Sequence, residues 1–81
     1  MSEPAFDHLG VYSTLAHLYE LRVSRLLAAG DHEGAMRAYE RTRHWLVLYA
    51  SGATSGAEGT ANSRERDQRL NTLRGALGLD S

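Results

Sequence analysis

Two histidine–carboxylate pairs, His17 with Glu20 and Glu40 with His44, stand one helical turn apart in this chain of 81 residues. Two histidines and two glutamates at one level of a helical bundle are the donor set of a carboxylate–histidine metal centre. Reflection of the chain about a corner at Gly30 and Asp31 brings His17 and His44 to the same level. The helical wheel turns them apart: each histidine projects nearly opposite the apolar centre of its own helix, toward water. No intramolecular metal site is expected, and no cofactor is called for.

Arg37, Arg41 and His44 share the polar face of a second periodic segment, with Arg22 and Arg25 across the corner. The planar guanidinium fork suits phosphate or carboxylate recognition, so these three form a candidate anion-binding set. The competing reading is a solvated face knitted by Glu33–Arg37 and Glu40–His44 pairs at helical spacing. Catalytic machinery is not evident. There is no cysteine, no Gly-x-Ser-x-Gly elbow, and the glycines at 52, 56 and 59 are not followed by a P-loop lysine. His8 and Asp7 are adjacent in sequence and cannot face each other on a helix. A non-catalytic protein is expected.

Positioning these groups falls to three segments. Residues 6–29 carry Leu9, Tyr12, Leu15, Ala16, Tyr19, Val23 and Leu26 at steps of three and four, the pattern of an amphipathic helix. Pro4 suits the start of this helix and Gly30 its left-handed stop. Residues 32–50 place Ala35, Ala38, Tyr39, Thr42, Trp45, Leu46 and Tyr49 on one face, with Asp31 as cap. With Gly30 and Asp31 leaving almost no loop, residues 1–50 predict a long antiparallel hairpin. Trp45 and Tyr49 are expected to face the N-terminal half of helix one. Residues 51–62 hold glycines and small polar groups, which predicts a flexible linker. Asn62 and Glu65 have capping-box spacing, so a short docking helix is expected over residues 63–81, with Leu70, Leu73 and Leu77 on its narrow face.

The apolar arc of helix one spans roughly half its circumference, wider than an ordinary surface helix needs. Val11 and Leu18 lie on one flank, Leu9 and Leu27 on the other. Met36 and Val47 stand off the main face of helix two, and Leu48 falls among polar neighbours. Three leucines on the third helix are too few to cover both flanks. A chain this short buries only about 60% of its unfolded surface, and without cysteine it has no disulfide to supplement its core. A bundle completed by the third helix or by oligomerisation is therefore expected. The residues assigned to partner contact are Tyr12, Leu15, Leu18, Tyr19, Met36, Val47, Leu70, Leu73 and Leu77.

The Gly30–Asp31 corner, Ala35 at the helix contact, Tyr39 one turn later and Tyr19 on the first helix resemble a single tetratricopeptide-repeat hairpin over about residues 19–46. The pattern differs from the family at Arg22, Val23, Thr42 and Val47. The resemblance implies a protein-interaction role.

All nine basic residues are arginine, and the formal net charge is −1. That balance disfavours nonspecific nucleic-acid binding and offers little repulsion against self-association. The first residues lack a secretory signal pattern, and no apolar run reaches the length of a membrane span. The expectation is an all-α, cytoplasmic protein–protein interaction module (adaptor, regulator or assembly subunit) that forms a homo-oligomer or binds a protein partner. The second reading is a small nucleic-acid-binding transcriptional regulator that uses the arginine face of helix two.

Overall fold

The computed structural model describes residues 8–52 and 56–79. Three helices follow in order: α1 over His8–Ala28, α2 over His32–Ser51 and α3 over Gly56–Leu77. The protein is all-α. The expected helix start at Pro4, with Phe6 and Asp7, lies outside the described residues.

The corner between α1 and α2 is fixed by local chemistry. Gly30 adopts φ +80°, a left-handed conformation that a side chain would strain. The Gly30 amide donates to the Leu27 carbonyl at 3.0 Å and the Asp31 amide to the Leu26 carbonyl at 2.8 Å. This paired arrangement is a Schellman stop. Asp31 then accepts from the Gly34 amide at 2.9 Å and caps α2. Chain reversal therefore takes three residues, and α1 and α2 pack along their whole lengths.

Small side chains line that seam: Ala16 on α1, with Ala35, Ala38 and Thr42 on α2, all buried. Thr42 satisfies its hydroxyl by donating to the Ala38 carbonyl at 3.0 Å, so its burial leaves no orphaned donor. Val23 and Leu46 are fully enclosed, and each contributes roughly 1.5–3 kcal/mol by leaving water. At the open end of the hairpin Tyr12 stacks on Trp45 with ring centroids 5.9 Å apart. Trp45 thus faces the N-terminal half of α1, as expected. Tyr49 turns the other way, and its hydroxyl donates to Glu65 of α3.

The third helix corrects the sequence reading. It begins at Gly56, not near Ser63, so residues 56–62 are helical where a flexible linker was expected. Asn62 is no cap: it lies inside α3, buried, and its amide donates to the Tyr49 carbonyl at 3.5 Å. Thr60 helps to close the first turn by donating to the Gly56 carbonyl at 2.8 Å. A cross-helix contact thus overrides the local capping signal. At its far end α3 stops on Gly78 (φ +73°) with a second Schellman pattern, in which the Leu79 amide donates to the Arg74 carbonyl at 2.8 Å. Contacts at Tyr49–Asn62 and His32–Leu77 show that α3 runs antiparallel to α2.

Three helices closed into a triangular bundle have two similar short dimensions, because neighbouring axes lie about 8–10 Å apart. Here the extents are 51 × 27 × 13 Å. The bundle is open: α3 packs chiefly on α2, touches α1 at few points, and covers one side of the hairpin.

Candidate interaction surface

The two sides of the α1–α2 hairpin are chemically alike but differently occupied. On the covered side, Leu73 and Leu77 of α3 are buried with Val23, Ala35, Ala38 and Tyr39. Leu26, Leu27, Met36 and Leu70 pack against that cluster. Above it, Arg69 reaches from α3 to α1. Its Nε donates to Glu20 at 2.9 Å, and Nη2 makes a second, shorter contact with the same carboxylate. Nη1 donates to Glu65 at 2.9 Å and to the Ser13 hydroxyl at 3.2 Å. Burial works against the charge on Arg69, but its hydrogen bonds and attraction to Glu20, then to Glu65, outweigh it and hold the guanidinium above its ordinary value. A raised value means the folded state grips the proton more tightly. While its carboxylate partners are ionised, the contribution from Arg69 is therefore complete below the ordinary arginine value and is lost only above it.

On the other side no element among the described residues covers α1. Val11, Leu18 and Leu21 are exposed at 38%, 56% and 51%. Leu15 and Tyr19 are half-buried beside them. Arg22 projects about 160° around α1 from Glu20, away from α3. It lines an open cleft of about 450 Å³ between α1 and α2, together with Tyr19, Leu26, Ala38, Arg37 and Arg41. Arg37 is paired with Glu33 at 2.9 Å on the exposed rim. Arg22, Arg25 and Arg41 make no ion pair among the described residues.

The expected partner-contact residues therefore divide. Leu15, Leu18 and Tyr19 lie on the uncovered side. Val47 is 44% exposed on α2, over a separate shallow depression with Glu40, Arg43, His44 and Leu48. Tyr12 is engaged with Trp45 within the hairpin. Leu73 and Leu77 are buried inside the chain and Leu70 and Met36 pack against the core, so these four are corrected from partner contact to intrachain packing. The reason is geometric: docking of α3 along α2 consumes its own leucine row and the off-face Met36.

The expected anion set also changes. Arg37 and Arg41 share the cleft, but His44 does not reach it; its ring stands edge-on to Trp45 at 5.0 Å. Arg22 takes that place from the other helix. Reflection about the Gly30–Asp31 corner sets position 22 level with position 39, between Arg37 and Arg41, so this neighbour was within reach of the hairpin geometry. The four residues with metal-ligand chemistry stay apart. His17 and His44 are exposed, Glu20 is held by Arg69, and Glu40 lies 4.0 Å from Arg43. Among the described residues no three His, Cys, Asp or Glu side chains gather as a metal site, and no helix is long and apolar enough to cross a membrane. Comparison with models of known protein families, with curated proteins and with solved structures finds no match.

Proposed function

We propose that the protein is a non-catalytic protein–protein interaction module, an adaptor, regulator or assembly subunit, that works through the uncovered side of its hairpin. One observation carries this reading: after α3 has covered one side, Leu18 and Leu21 of α1 remain more than half exposed, with Val11 in the same surface. Scattered apolar residues on a surface need no explanation, but a row along one helix marks a contact. A thin core in a chain of 81 residues points the same way. The likeness of the corner to a tetratricopeptide-repeat hairpin supports it too.

The test is a photo-crosslinking amino acid placed at position 18, with position 71 on the exposed side of α3 as reference, read in the producing cell alongside light scattering. The expected result is a discrete adduct from position 18 that is absent from position 71 and is lost when Val11→Asp is added. A monomer at all concentrations with no adduct from position 18 beyond that from position 71 contradicts the reading.

The gathering of Arg22, Arg37 and Arg41 at one cleft favours a second reading, a small nucleic-acid-binding regulator. It requires salt-dependent binding to duplex DNA that weakens on Arg37→Ala with Arg41→Ala.

A further inference from the structure

We propose that the uncovered side of the hairpin receives an acidic amphipathic helix from a partner protein. The proposal rests on the interaction reading above and names the chemistry of the occupant.

The spacing on α1 sets the shape of that occupant. Val11, Leu15, Leu18, Arg22 and Arg25 follow one another at steps of four, three, four and three. This is the heptad seam of two packed helices. Its first three positions are apolar and its last two are arginine. A complementary helix carries apolar side chains over Val11, Leu15 and Leu18 and carboxylates over Arg22 and Arg25. Arg41 reaches the same carboxylate end from α2, across the cleft it shares with Arg22, Tyr19 and Leu26.

Among the described residues the charge on this side has no internal answer. Arg22, Arg25 and Arg41 are without an ion pair among the described residues. The cleft offers one carboxylate, Asp31, which is engaged as the cap of α2. The covered side shows how the chain itself solves the same problem: leucines of α3 fill the groove while Glu20 and Glu65 meet Arg69. Carboxylates presented beside apolar side chains on one helix would do for the uncovered side what this pairing does for the covered one.

A second copy of the chain fits poorly. An antiparallel copy centred on Leu18 sets Arg25 of one chain against Val11 of the other and brings no carboxylate. A parallel copy stacks arginine on arginine, which is repulsive. A nucleic acid would answer the arginines but leave Val11, Leu15 and Leu18 in water.

The test uses labelled helical peptides about three heptads long and fluorescence anisotropy on the full chain. One peptide has a leucine seam flanked by glutamate; the second keeps the leucines and replaces glutamate by lysine; the third keeps glutamate and replaces leucine by serine. The glutamate–leucine peptide is expected to bind at least about tenfold more tightly than either other peptide. Arg22→Ser with Arg41→Ser, and separately Leu18→Asp, each weaken it by at least about tenfold, the scale of a lost charged hydrogen bond or apolar anchor. Circular dichroism checks that these exposed variants stay helical. Equal binding of the lysine peptide, or no effect of the arginine pair, overturns the acidic partner; if Leu18→Asp still abolishes binding, the interaction reading survives. Failure of all three peptides to bind overturns the proposal but leaves the crosslink from position 18 to judge the interaction itself. A dimer dissociated by Leu18→Asp assigns the face to a second copy. Duplex DNA that displaces the glutamate–leucine peptide assigns it to nucleic acid. Either result overturns the proposal.

Discussion

The covered and uncovered sides of the hairpin are built from the same materials, leucine rows beside arginine, yet only one is complete. On the covered side Leu73 and Leu77 are buried and Arg69 meets two carboxylates. On the uncovered side Leu18 is more than half exposed, and Arg22 meets none among the described residues. A buried apolar row contributes to stability; an exposed one contributes only when something covers it. Substitution should therefore separate the two sides cleanly, stability responding on one and association on the other.

The largest separation is expected from paired truncations. Leu73→Ala with Leu77→Ala removes the apolar anchor of α3, at roughly 2–5 kcal/mol for each fully packed side chain. In a chain of this size that undocks α3, and thermal melting should show a lost or strongly lowered transition. The matching pair on the other side, Val11→Ala with Leu18→Ala, should leave the melting curve within about 0.5 kcal/mol of the parent. Equal destabilisation by the two pairs would break the comparison.

Arginine gives the next contrast. Arg69→Leu strips the counter-charge from Glu20, whose side chain is only 21% exposed. The expected loss is about 2 kcal/mol in chemical denaturation, below the cost of breaking a fully buried pair because water still reaches the site. Arg22→Leu should cost nothing measurable, since no carboxylate among the described residues pairs with it. A stabilising Arg69→Leu would mean that an apolar clasp packs better than the charged one.

A smaller effect belongs to the corner that both sides share. Asp31→Ala removes the cap of α2 and should lower stability by about 1 kcal/mol. Gly30→Ala forces a side chain into a left-handed conformation at about 1–2 kcal/mol. Both should shift the melting temperature without altering binding on the uncovered side. The smallest expected change is Leu18→Asp: helix content and melting within error, with association lost. If Leu18→Asp unfolds the chain, the uncovered side is a second core and the comparison fails.

Much of this was legible in the sequence because it is encoded locally. The Gly30–Asp31 corner, the alanine-lined seam and the outward histidines follow from backbone chemistry and a period of 3.6. The start of α3 was hidden because Asn62 and Glu65 satisfy a local capping rule. Only the fold shows Asn62 bonding instead to the Tyr49 carbonyl across the interface. Arg69 was hidden for a similar reason. Among the other arginines of α3 it reads as one more solvated charge, and its role depends on Glu20, 49 positions away. The partition of Leu70, Leu73, Leu77 and Met36 from Leu15 and Leu18 required knowing which side α3 takes. Periodicity gives the width of an apolar arc but not its occupant.

The most direct measurement is a backbone-amide chemical-shift map of the full chain as the glutamate–leucine peptide is added. Shifts are expected along the row of Val11, Leu15, Leu18, Arg22 and Arg25 on α1 and around Ala38 and Arg41 on α2, with α3 unmoved. Shifts centred on α3, or none at peptide concentrations that saturate the anisotropy signal, would contradict it.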